Sequence, residues 1–219
     1  HAATDLATAM AESGAVPTDS AEIDFFERAM SPLFMDASDT VLQKKSYRAA
    51  ALLVSLGVVG KDDGSAIKFV ENTAAASSSV AASSKSTRLG LIQSLVELCK
   101  SRTDSKTLLE VCTSNFLSEV VMCSRDVSEK TRAAAFATLS AFGRNWYTIG
   151  GQRGEGLCQY IQLLAAGLAG RTVSMLSSTM TSLSHVIFEF RGEARLYSEL
   201  STTVDTLYGS KARATEVQD

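Results

Sequence analysis

The feature that most restricts the fold of this chain is an apolar stripe that returns, segment after segment, at the three-and-four spacing of one helix face. Between Lys85 and Lys100 it runs through Leu91, Ile92, Leu95, Leu98 and Cys99, with Arg88 at its head. Between Arg171 and Phe190 it runs through Val173, Leu176, Met180, Leu183, Ile187 and Phe190. Asp39 to Gly57 and Asp126 to Gly143 each pass from a polar start into an apolar run and stop at a glycine, which predicts a helix with a C-terminal cap. The same patterning predicts helices over Asp63 to Thr73 and Leu157 to Leu168, and a closing helix over Arg195 to Tyr208. Asp104 to Cys112 and Asn115 to Cys123 read as a short helical pair or one bent helix. With 7% aromatics and 2 prolines, the chain lacks the composition of a turn-rich sandwich of strands. The expected fold class is all-α.

The stripes also repeat at a longer period. Arg48, Arg88 and Arg132 each precede an apolar run and stand 40 and 44 residues apart, the range of HEAT and armadillo repeats. The fullest copy is Asp126 followed by Arg132, Ala135, Leu139 and Phe142, whereas Asp39 with Lys45 keeps the spacing without the arginine. One helical hairpin cannot bury both of its apolar faces, so hairpins must stack and share a core. The expectation is a right-handed α-solenoid of about four HEAT-like repeats over residues 39–212. It would be preceded by a partly irregular helical flank at 1–38, with a helix near Ser20 to Met30 broken at Pro32, and followed by a polar end at 213–219. The Ala/Ser tract from Ala74 to Ser84 reads equally as a weak helix end or a mobile linker.

Charge narrows the function. Lys and Arg number 21 against 24 Asp and Glu, a net charge of −3, so any contact with nucleic acid must be local rather than a matter of bulk attraction. No uninterrupted run of about 18 apolar residues exists to span a bilayer. The four cysteines, Cys99, Cys112, Cys123 and Cys158, show no C-x-x-C spacing, and only His1 and His185 could join them as soft ligands. No metal site is expected, and the thiols read as reduced core residues of an intracellular protein. The chain opens at His1 with neither an initiator methionine nor a signal sequence, which reads as an internal piece of something longer.

Catalytic motifs are weak. GGQRGEG, from Gly150 to Gly156, follows a helix rather than a strand and no lysine comes after it, so it reads as a connection rather than a phosphate cradle. His185 reads as a structural histidine rather than a general base, and Trp146 with Tyr147 as an apolar plug rather than a base-stacking platform. No catalytic residue and no cofactor is expected.

The predicted helices do share a cation near the start: Lys44, Lys45 and Arg48, then Lys85 and Arg88, then Lys130 and Arg132, then Arg171. Stacking in register would align these as a ladder, at helix ends where the macrodipole disfavours positive charge. One reading is a structural Asp-to-Arg ladder stitching the turns, with Asp126 and Arg132 its clearest members. The other is a set of contacts to RNA phosphates or an acidic protein tail through Lys44, Lys45, Arg48, Lys85, Arg88, Lys130 and Arg171. Apolar grooves lined by residues such as Leu176, Met180 and Phe190 are either shared inter-repeat core or a seat for a partner's helix or peptide.

Four stretches together carry a resemblance: LQKKSYR from Leu42, KTRAAAFATL from Lys130, GLAGRTVSMLSS from Gly167 and HVIFEFRG from His185. They are similar to the HEAT-repeat ribosomal RNA-processing protein 12 family, from about Val41 to Ala212 and most specifically over Cys158 to Gly192. The resemblance implies a large helical assembly factor of the nucleolus and nucleus, karyopherin-like in architecture, with shuttling to the cytoplasm left open. It implies a non-enzymatic scaffold on the small-subunit pre-ribosome, or processome, linked to ribosomal RNA processing and pre-ribosome export. Partners would be pre-ribosomal proteins and assembly factors, and pre-ribosomal RNA through local basic residues, with no membrane. The alternative is a nuclear transport receptor that binds cargo, a small GTPase or nucleoporins.

Overall fold

The computed structural model describes residues 32–60, 62–150, 154–169 and 172–193, together with Asp5, Ala9, Ser13, Arg28 and Ser201. Its principal helices are α1 (Thr40–Ser55), α2 (Asp63–Ala75), α3 (Lys85–Leu98), α4 (Ser105–Cys123), α5 (Glu129–Ile149), α6 (Glu155–Ala165) and α7 (Val173–Glu189). Among the described residues there is no strand, so the all-α expectation holds. The helices predicted near Ser20 to Met30 and over Arg195 to Tyr208 lie outside the described residues, save Arg28 and Ser201.

Local chemistry sets the helix starts. Asp39 opens α1 by accepting the amides of Val41 and Leu42 at 3.1 and 2.9 Å. Asp62 and Ser65 cap α2 reciprocally, and Asp104, Ser128 and Thr172 accept the amide three residues on at the starts of α4, α5 and α7. Glycines play two different parts in these helices. Gly57, at φ +70°, ends α1 as a left-handed cap, but α5 runs straight through Gly143 to Ile149. Gly143 serves packing instead: the Phe190 ring from the end of α7 lies where any Cβ would stand. The segment over Asp104 to Cys123 is one continuous helix rather than a pair.

Helix α1 packs on α3 and α3 on α5, while α2 packs on α4 and α7 lies against α4, α5 and α6. Two stacked layers of this kind are consistent with an α-solenoid. The core between them is built from buried Tyr47, Leu53, Phe69, Leu89, Leu95, Phe116, Phe142, Trp146 and Tyr160. The polar ends of the large aromatics are satisfied: Trp146 Nε1 donates to Thr113 Oγ1 at 3.1 Å and the Tyr160 hydroxyl to the Leu139 carbonyl at 3.0 Å.

The Ala/Ser tract begins as the end of α2, which runs to Ala75 and passes directly into a 3-10 turn. The rest of the tract forms two 3-10 turns, Ala76–Ser79 and Ala82–Ser84, tied down by the buried side chain of Gln43. Gln43 Nε2 donates to the carbonyls of Ser79 and Phe34 at 2.9 and 3.0 Å, and its Oε1 accepts the Ala81 amide at 3.1 Å. Phe34 itself enters the core, its ring stacked on Tyr47 at 4.9 Å. All four cysteines are buried and none is in a disulfide. Burial pushes the Cys123 thiol up to about 11, which keeps it protonated. No described helix is long and apolar enough to cross a membrane.

Candidate functional site

Because α1, α3 and α5 lie side by side, the cations predicted at their starts come to one edge of the stack. They meet different fates there. Arg88 is completely buried. Its Nε and Nη2 donate to the two oxygens of Glu119 on α4 at 2.6 and 2.9 Å, and Nη1 donates to the Thr73 carbonyl at the end of α2 at 2.8 Å. Burial works against the guanidinium charge, and the Glu119 carboxylate outweighs it, so the Arg88 pKa is raised. Arg88 is therefore removed from the set of candidate RNA contacts. It is an internal tie between the two layers.

Lys85 reaches Asp126 with Nζ 2.7 Å from Oδ2. That hydrogen bond is the first cause holding the Asp126 carboxyl below its usual range. Arg132 does not pair with the Asp126 carboxylate, as the Asp-to-Arg ladder required. Its Nη1 donates to the backbone carbonyls of Asp126 and Val127 at 2.9 and 3.1 Å. The arginine does stitch the turn between α4 and α5, but through carbonyls, because the carboxylate is taken by a lysine 41 residues away. Lys45 pairs with Asp5 at 3.0 Å on the surface. Arg171 lies outside the described residues.

Lys44, Arg48 and Lys130 remain. Among the described residues they make no ion pair or hydrogen bond, and they line a single cavity of about 260 Å³. Lys44 and Arg48 come from the second and third turns of α1, Ser86 and Thr87 from the first turn of α3, and Lys130 and Thr131 from the first turn of α5. Ala82, Ser83 and Ser128 complete the wall, and no carboxylate contributes to it. Three cations, several hydroxyls and the starts of two helices thus face a common volume, an arrangement suited to an anion.

The remaining candidates resolve differently. Trp146 is buried and hydrogen-bonded, so it is a plug rather than a stacking platform, while Tyr147 is exposed. Gly156 and Gly150 pack so closely on each other and on the Trp146 carbonyl that neither position has room for a Cβ, which accounts for part of the glycine loop without a ligand. His185 stacks on Phe136 with ring centroids 4.5 Å apart, and its Nε2 lies 3.0 Å from Ser140 Oγ, a residue 45 positions away that no motif reveals. Among the described residues no carboxylate hydrogen-bonds this imidazole, so the pair lacks the group that orients a catalytic base. An apolar cleft of about 380 Å³ lies between α4, α6 and α7, lined by Leu117, Val121, Leu163, Leu164 and Met175 among others. The predicted groove residues Leu176, Met180 and Phe190 lie outside that lining.

Fold and surface together define a stacked helical protein whose one distinctive polar feature, among the described residues, is a basic cavity at the helix starts. No family model matches the chain. It is 27% identical over 207 residues to Ribosomal RNA-processing protein 12 of Saccharomyces cerevisiae, covering 84% of this chain and 16% of that protein. It is 38% identical over 74 residues to the RRP12-like protein of Homo sapiens, covering 34% of this chain and 6% of that protein. It is 24% identical over 162 residues to Putative ribosomal RNA-processing protein 12 of Schizosaccharomyces pombe, covering 72% of this chain and 13% of that protein. The resemblance read from the residues is borne out by these relatives. The chain spans about a sixth or less of their length.

Proposed function

We propose that this chain is a HEAT-type segment of a non-enzymatic scaffold in ribosome biogenesis, acting on the small-subunit pre-ribosome in ribosomal RNA processing and pre-ribosome export, in the nucleolus and nucleus. The observation that carries the reading is the relation over 84% of the chain to a protein named for ribosomal RNA processing. The helical stack supports it, since stacked hairpins work by offering an extended surface to partners. The partners in this reading are pre-ribosomal proteins and assembly factors, with pre-ribosomal RNA reached through exposed cations. The lone Ser140 and His185 pair gives no support to an enzyme.

The test is affinity purification of the tagged full chain at two salt concentrations, with identification of the co-purifying proteins and RNA. Recovery of small-subunit precursor RNA with nucleolar processing factors is the expected result. Recovery of a small GTPase with diverse cargo and no precursor RNA would overturn the scaffold in favour of a transport receptor.

A further inference from the structure

The basic cavity differs from a nucleic-acid track in a way that identifies its ligand. A strand of RNA is held by cations spaced along successive phosphates. Here the cations on either side are already engaged: Lys85 with Asp126, Arg88 with Glu119, Arg132 with two carbonyls and Lys45 with Asp5. What survives is a point rather than a stripe: Lys44, Arg48 and Lys130 around one cavity with no carboxylate in its wall, on a chain of net charge −3. Thr131 lines that wall while only 2% exposed.

Three converging positive charges suit a compact group with nearly two negative charges and three terminal oxygens better than a phosphodiester with one charge. We propose that the cavity between α1 and the starts of α3 and α5 receives a phosphorylated serine or threonine of a partner protein, gripped by Lys44, Arg48 and Lys130. The inference rests on the reading of the chain as a partner-binding scaffold and gives that scaffold a phosphorylation-dependent contact. The Arg48 fork holds two phosphate oxygens, the lysines act as point charges, and the hydroxyls of Ser86 and Thr131 donate to the rest. A partner would then dock only after a kinase has acted on it.

Fluorescence anisotropy of the full chain tests this with three probes: a degenerate peptide library with a central phosphoserine or phosphothreonine, the same library after phosphatase treatment, and a ten-nucleotide oligouridylate. The phosphorylated library is expected to bind about tenfold more tightly than the treated one, and Arg48→Ala with Lys130→Ala to abolish the difference. Oligouridylate binding is expected to change by less than about twofold in the same variant. Arg48 and Lys130 are exposed, and an unchanged thermal melt of the double variant confirms that the loss is local. Equal binding of the two libraries, or a phosphate dependence that survives the substitutions, overturns the proposal. So does a fall in oligouridylate binding that parallels the loss of peptide, which would make RNA the occupant. None of these results touches the scaffold reading, which stands or falls on co-purification of precursor RNA and processing factors.

Discussion

Arg48 and Arg88 stand 40 residues apart at matching places in neighbouring helices, yet one faces an open cavity and the other is sealed inside the stack. The difference lies in what the opposite layer presents. Glu119 on α4 and the Thr73 carbonyl at the end of α2 reach Arg88 and satisfy three of its donors. Nothing comparable reaches Arg48 among the described residues. A repeated cation is thus a position, not a role, and its partner decides whether it holds the fold or faces a ligand.

The sharpest way to break this comparison is Arg88→Met. It strands the Glu119 carboxylate and the Thr73 carbonyl, and losing one member of a buried pair costs about 3–5 kcal/mol. Glu119 keeps 23% of its side chain exposed and can rehydrate, so the expected loss in urea denaturation is at the lower end, about 3 kcal/mol. A loss below about 1 kcal/mol would show that the layers do not depend on this tie.

Next in size is Gln43→Leu. It leaves the backbone groups of Phe34, Ser79 and Ala81 without the bonds that one amide supplied, although the Phe34 carbonyl keeps the Tyr47 hydroxyl, at a cost of about 2 kcal/mol. Amide hydrogen exchange at Ala81 should accelerate well before the global unfolding rate changes, because the 3-10 turns loosen first. Exchange at Ala81 that tracks global unfolding would mean that the tract is held by something other than Gln43.

The Lys85 and Asp126 pair is smaller because it is partly exposed, with 38% and 12% of the side chains accessible. The folded pKa of Asp126 lies below its ordinary 3.8, so its stabilisation is present above that value and is lost as pH falls through the folded one. Lys85 is raised from 10.5, so its share is present below that value and is lost as pH rises through the folded one. Asp126→Asn is expected to cost at most about 1 kcal/mol near pH 7 and progressively less in acid. A gap between variant and parent that stays constant down through the acid range would assign the effect to lost hydrogen bonding rather than charge.

Much of the fold was legible because helix periodicity is local. Six of the seven principal helices fall within a few residues of the segments the apolar stripes mark, and the exception is the extended end of α5. Gly143 misled because a glycine that admits Phe190, 47 residues further on, looks in sequence like one that ends a helix. The same distance effect governs the site. The cationic positions could be read, but Glu119 lies 31 residues from Arg88 and Asp126 lies 41 from Lys85, so which cations remained available could not. Gln43 was invisible for a related reason: a polar residue followed by Lys44, Lys45 and Ser46 reads as helix surface until the carbonyls it must satisfy are folded against it.

The smallest effect separates the two arginines most cleanly. Arg48→Ala with Lys130→Ala removes two side chains that make no ion pair among the described residues, so stability should change by no more than about 0.5 kcal/mol. The sign should be a slight gain at low salt that fades as salt is added, because two like charges are withdrawn from the same cavity as Lys44. A protein that merely needed solubility would gain nothing by gathering three cations around one volume free of carboxylates. The three cations repel one another in the folded state, and an anion seated among them would relieve that repulsion. Destabilisation of more than about 1 kcal/mol would instead show that Arg48 has a structural partner of its own, and the contrast with Arg88, together with the cavity's claim to a phosphate, would fall with it.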